Sequence, residues 1–252
     1  VDLDWFAAVC ARERCPHAVL GSLDDSGRLI VTDRELGERP VDMLLETLLG
    51  KAPQMLRRIE RCPTPELPLD LAGIDLTEAC LRVLRMPVVA DKSFLLNIGD
   101  RTVGGLVARD QFVGPWQVPV SDVGVTALGF ETFAGEAMAM GERAPVALID
   151  APASGRLAVG EALTNIASAS IADLASVRLS ANWMAAAGSP GEDERLYATV
   201  DAVSALCRQL KIAIPVGKDS LSMQTRWTEA GVSHAVVAPV SLVVSAFAPV
   251  DD

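Results

Sequence analysis

Gly155-Arg-Leu-Ala-Val-Gly-Glu-Ala-Leu-Thr-Asn165 has the periodicity of an amphipathic helix. At about 100° per residue, Val159, Leu163 and Ile166 fall within about 60° of one another and predict a packed face. Glu161 and Asn165 then lie on the opposite side, one turn apart and facing the same way. The helix should run from Gly155 to about Ser170. On its N-terminal side, Val118 to Leu128 and Pro145 to Ile149 read as strands, with a helix between them over Gly135 to Gly141. Ser93 to Ile98 reads as a further apolar strand. On its C-terminal side a second helix is expected over Glu192 to Leu210, then strands at Ile212 to Val216 and Val236 to Phe247, the latter interrupted at Pro239. Strands alternating with helices imply an α/β or α+β fold.

Upstream the pattern thins. Val1 to Arg14 suits a helix, His17 to Leu20 and Arg28 to Val31 suit short strands, and Asp24-Asp25-Ser26-Gly27 suits a turn. So little structure buries too little surface for an independent domain, which predicts the tail of a larger fold. Pro53, Pro63, Pro65 and Pro68, interleaved with Lys51, Arg57, Arg58 and Arg61, mark a linker over 50–75 with one short helix at Gln54 to Glu60. Beyond it Thr77 is placed to cap a helix from Glu78 to about Leu84. Four segments are therefore expected: 1–49, the linker 50–75, a main domain over 76–235, and 236–252 as the start of a following domain. Both ends read as interruptions of a longer chain.

Half of the 252 residues are hydrophobic but only 4% are aromatic, a supply suited to close helix–sheet packing. No apolar run reaches the roughly 18 residues of a membrane span, and no basic-then-apolar leader opens the chain. A cytoplasmic protein is expected. The net charge of −11 argues against a nucleic-acid partner but leaves room for a phosphorylated ligand met through a shared cation. The cysteines are odd in number and scattered, which predicts reduced thiols rather than disulfides or zinc ligands. His17 and His234 are the only histidines, and neither sits in a local motif.

A carboxylate and an amide at the spacing of Glu161 and Asn165 offer hard oxygen donors to magnesium; the same pair serves equally as a solvated helix face. Asp122 interrupts the apolar stretch Pro119-Val-Ser-Asp-Val-Gly-Val-Thr126 and would be a third oxygen donor if it converges on them, or an outward strand residue if it does not. Gly104-Gly105 would let a backbone approach a phosphate, but the surrounding composition also suits a hairpin. Pro215-Val-Gly-Lys-Asp-Ser220 places Lys218 just after an apolar strand, as a point charge toward phosphate or as part of a surface turn. Lys92, before the expected strand at 93–98, is equally open. Trp183, Tyr197 and Cys207 read as packing residues.

Longer strings are less generic. Gly104-Gly-Leu-Val-Ala-Arg-Asp-Gln-Phe-Val-Gly-Pro-Trp-Gln-Val-Pro119 closely resembles the large, single-chain phosphoribosylformylglycinamidine synthase family. So do Gly135-Glu-Ala-Met-Ala-Met-Gly-Glu-Arg-Ala-Pro145, Val159-Gly-Glu-Ala-Leu-Thr-Asn165, Leu179-Ser-Ala-Asn-Trp-Met-Ala-Ala-Ala-Gly188 and Ile214-Pro-Val-Gly-Lys-Asp-Ser220, in the family's order. Upstream, Cys10-Ala-Arg-Glu-Arg-Cys-Pro16 and Leu48-Leu-Gly-Lys-Ala-Pro-Gln-Met55 extend the match to essentially the whole chain.

The resemblance implies two synthetase halves, each built like aminoimidazole ribonucleotide synthetase. Residues 1–49 would be the C-terminal tail of the first half, 76–235 the N-terminal domain of the second, and 236–252 the start of its C-terminal domain. It implies an ATP-dependent carbon–nitrogen ligase that joins formylglycinamide ribonucleotide to glutamine-derived ammonia in purine biosynthesis. By the same resemblance Asp122, Glu161 and Asn165 match magnesium ligands, while Ser121 and Lys92 match positions beside ATP or ADP. Lys218 and the glycine-rich segment from Gly99 would lie near the interface between halves. The implied partners are the phosphoribosyl substrate and the remaining domains, including a glutaminase, none of whose catalytic residues is expected here. A nucleotide-stabilised scaffold without catalysis is the alternative.

Overall fold

The computed structural model describes residues 2–53, 56, 59, 61–62, 68, 70–99, 105–108 and 111–251. The chain divides into two units, 1–57 and 58–252. In the first, helix α1 (Leu3–Arg12) starts at Asp2, whose Oδ1 accepts from the N–H of Trp5 at 3.0 Å. Strands β1 (Arg28–Asp33) and β2 (Glu38–Leu44) form an antiparallel hairpin, followed by the short helix α2 (Leu45–Leu49). The strand expected at His17–Leu20 does not form. The helix expected over 54–60 falls mostly outside the described residues.

The second unit holds a mixed α/β fold. Helix α3 (Leu76–Arg85) begins at Asp75, not Thr77: the Asp75 carboxylate accepts from the N–H of Glu78 at 2.7 Å. Ser93–Ile98 is helix α4 instead of a strand. Asp91 is the reason, because its carboxylate takes both the N–H of Ser93 (3.0 Å) and its hydroxyl (2.6 Å) and so turns the chain into a helical start. Those bonds also hold the Asp91 carboxyl below the usual carboxylate range.

Strands β3 (Leu106–Val107), β4 (Val123–Ala127) and β5 (Gly135–Glu142) follow. Helix α5 (Ala151–Ile166), β6 (Arg178–Met184), helix α6 (Glu192–Leu210) and β7 (Ala213–Ser220) come next. A hairpin of β8 (Gln224–Glu229) and β9 (Val232–Val237) precedes the last strand, β10 (Ser241–Val250). Pro145–Ile149, expected as a strand, lies mainly in a 3-10 turn over Ala144–Leu148.

The sheet order is β3-β4-β5-β10-β6-β7, antiparallel except for β6 with β7. β10 therefore sits between β5 and β6, and Ser241–Val250 is part of this sheet. The two outer partners run parallel to each other, with α5 as their crossover; α6 is the crossover between β6 and β7.

Helices α5 and α6 share one face of the sheet. Ala137 and Ala139 of β5, Val244 and Ala246 of β10, and Leu179 and Ala181 of β6 meet Val159, Ala162 and Ile166 of α5 and Val203 of α6 in one buried cluster. Full burial of a side chain such as Ile166 contributes roughly 2 kcal/mol.

Gly135–Glu142 corrects the expectation of a helix. Ala, Glu and Met are good helix formers, but small residues at 135, 137, 139 and 141 alternate with Glu136, Met138, Met140 and Glu142, and burial alternates with them. The period of two decides the element. No helix among the described residues is long and apolar enough to cross a membrane.

Candidate metal and nucleotide site

Gly141 sets how closely α5 approaches β5. A Cβ at this position would collide with the backbone oxygen of Ala158 and the backbone nitrogen of Ala162. With hydrogen there instead, the helix backbone lies directly on the strand, and two α5 side chains reach the strand's backbone on either side of Gly141. Glu161 Oε2 accepts from the N–H of Glu142 at 2.7 Å, and Asn165 Nδ2 donates to the carbonyl of Met140 at 2.9 Å. Arg143 Nη2 stands 2.7 Å from Glu161 Oε1.

This geometry corrects the helical wheel. The buried positions of α5 are Ala151, Ser154, Gly155, Ala158, Val159, Ala162 and Ile166, a stripe built on small residues. Glu161 and Asn165 flank that stripe half-buried instead of opposing it. The assumed stripe gave weight to Leu163, which is only partly buried, and none to Ala158 and Ala162.

The orientation of Asn165 follows from its partner. A carbonyl only accepts, so the amide nitrogen must face Met140 and Oδ1 is the outward oxygen. Asp122 lies in a bend one residue before β4, exposed, and among the described residues no hydrogen bond or ion pair holds its side chain. Val123 pairs with Ala139, so the register carried back one residue sets Asp122 opposite Met140, whose carbonyl Asn165 holds. The backbone positions of all three predicted ligands thus lie at one corner of the sheet, where β4 begins and β5 ends, with Glu161 and Asn165 on the face that α5 covers and Asp122 in the bend opposite Met140, whose side chain lies on the other face. Among the described residues no three acidic, histidine or cysteine side chains gather as a metal cluster; the expected set has only two carboxylates, with an amide as its third member. The chemistry of the set fits magnesium, which takes oxygen donors and retains several waters.

Ser121 is next to Asp122, its hydroxyl donating to the Val123 carbonyl at 2.8 Å and its N–H to the Gln111 carbonyl at 2.8 Å. Lys92 is the residue from which α4 starts, with Nζ donating to the Ala90 carbonyl at 2.7 Å. Its neighbours Asp91 and Ser93, with Asn97, line a cleft of about 320 Å³ whose other wall is Phe112, Gln117 and Val118. The segments carrying Lys92 and Ser121 therefore adjoin. Lys218 does not join them: it lies in β7, at the far side of the sheet from β4, with Nζ donating to Ser220 Oγ at 2.8 Å. Of the segment from Gly99, residues 100–104 lie outside the described part, and Leu106–Val107 forms the edge strand beside β4.

The missed functional candidate is Arg143. Its side chain is 48% exposed while the Glu161 side chain it meets is 24% exposed, so a cation already stands at the rim of the donor set. No local sequence pattern marks it, because Glu161 lies eighteen positions further along the chain and meets it across a strand–helix contact.

Residues 91–249 match the model of the FGAR-AT PurM_N-like domain family. Among solved structures, Thermotoga maritima PurL complexed with ATP is similar at 18% identity and a TM-score of 0.50, covering 90% of this chain and 32% of that one. The PurLQS structure from the same organism aligns at 17% identity and a TM-score of 0.51, covering 86% and 31%. T. maritima PurL complexed with FGAR aligns at 18% and 0.50, covering 89% and 31%. At such identities the likeness concerns the fold, and the chain spans about a third of the length of these PurL chains.

Proposed function

The chain belongs to the FGAR-AT PurM_N-like domain family, and from that premise we propose that it contributes a magnesium–nucleotide site to an ATP-dependent amidotransferase acting on formylglycinamide ribonucleotide. One observation carries the reading: Glu161 and Asn165 are fixed one turn apart on the backbone flanking Gly141, at the sheet corner where the chain enters β4 through Asp122, which has no partner among the described residues. Asp122, Glu161 and the outward oxygen of Asn165 would hold the cation. Lys92 and Ser121 would border the nucleotide phosphates, while Lys218, in β7 at the other side of the sheet, would meet phosphate only at a separate surface. When bound, magnesium supplies charge neutralisation for phosphate oxygens. ATP or ADP as the nucleotide, glutamine-derived ammonia as the nitrogen source, a cytoplasmic location and partner domains including a glutaminase belong to the same proposal. The proposed domain plan keeps 1–49 as the tail of one half and 76–235 as the core of the next, with Ser241–Val250 joined to that core's sheet.

A non-catalytic reading has support of its own. Glu161 clasps α5 to β5 through the Glu142 N–H and Arg143, so a nucleotide held there would stabilise the packing without turnover. No residue is assigned to the reacting atoms under either version.

Asp122→Asn provides the test, because among the described residues Asp122 makes no side-chain bond that the fold would lose. We expect its melting temperature without ligand to equal that of the parent, while the upward shift with MgCl2 and ADP disappears. A full shift in the variant would contradict the site.

A further inference from the structure

Both oxygens of Glu161 are engaged inside the chain, one by a neutral backbone N–H and the other by a guanidinium. Arg143 is the residue that follows β5, and its polar contacts near Glu161 are two: Nη2 meets Glu161 Oε1 at 2.7 Å, and Nη1 donates to the Glu142 carbonyl at 3.0 Å. The side chain is 48% exposed, so the guanidinium has solvent beside it. A divalent ion on Glu161 would need Oε1 or Oε2. The Oε2 position is tied to the rigid strand through Glu142, so Oε1 is the exchangeable oxygen. A guanidinium and a divalent cation on one oxygen repel each other and compete for its lone pairs.

We propose that Arg143 is the built-in counter-cation of Glu161, and that divalent-ion binding proceeds by exchange with this arginine. Exchange keeps the carboxylate aimed and its charge compensated at all times, and it sets a threshold that weakly bound cations do not pass. This inference rests on the magnesium reading of Asp122, Glu161 and Asn165, and its test separates the two.

The intact protein and its Arg143→Gln variant would be titrated with MgCl2 in saturating ADP by calorimetry. An exposed ion pair typically contributes up to about 1 kcal/mol, so removing the competitor should tighten magnesium binding about two- to fivefold. Equal or weaker binding by the variant, with the parent binding normally, overturns the exchange and leaves the site standing. No magnesium uptake by the parent overturns both. A second measurement needs no variant: phenylglyoxal modification of Arg143, mapped by mass spectrometry, should quicken when the parent protein is saturated with MgCl2 and ADP. An unchanged rate would overturn the exchange.

Discussion

Gly141 couples stability to the site through a single missing methyl group. Its hydrogen lets the backbone of α5 reach β5, and only at that separation do Glu161 and Asn165 bridge to the Glu142 N–H and the Met140 carbonyl. Gly155 acts similarly one level out, since a Cβ there would press on Thr199 Cγ2 and Val203 Cγ2 of α6. Gly141→Ala should lower stability by about 1–3 kcal/mol in urea denaturation, the usual range for an overfilled core, and weaken the magnesium response as well. An Ala variant with parental stability would mean the helix does not need this approach. Glu161 and Asn165 were recognisable as candidate donors from spacing alone. Their true environment was not, because a wheel weighted by hydrophobicity overlooks a stripe whose burial depends on Gly, Ala and Ser. Arg143 was invisible as a participant, since its partner lies across a strand–helix contact that no local pattern encodes.

Helix α6 was legible to the residue, as a nineteen-residue amphipathic segment running from Glu192 to Leu210. Elements went wrong where local propensity opposed tertiary packing. β5 is made of helix-forming residues, yet its alternation of small and large side chains suits a strand that carries a helix on one face. α4 is apolar and short, and the Asp91–Ser93 bonds that make it helical are a feature of two side chains rather than of periodicity. β10 was correctly read as strand, but its place between β5 and β6 is a long-range pairing. That central position has a consequence for local opening. Amide exchange should be slowest for Val244 and Ala246, paired on both sides, and much faster for Leu106 and Val107 in the two-residue edge strand β3. Comparable protection in the two strands would contradict the assigned sheet order.

At the scale of the molecule, burial is uneven between the units. The buried apolar side chains lie almost entirely between Phe112 and Val250, with Cys10 the exception in the first unit among described residues. The second unit joins a helix-covered sheet to an opposite face on which Met138, Met140 and Phe247 remain exposed. Its candidate ligands come from a β4 approach and an α5 flank some forty residues apart in sequence, whose backbones adjoin only because β4 pairs with β5 and α5 packs on β5. The most direct measurement is an anomalous difference map from crystals of the protein grown with MnCl2 and ADP. The account predicts a manganese peak within about 2.1–2.3 Å of a carboxylate oxygen of Glu161, shared with Asp122 and the Asn165 side-chain oxygen. A map with no peak there, or one in which the ion sits elsewhere while Glu161 keeps its parent contacts, would contradict it.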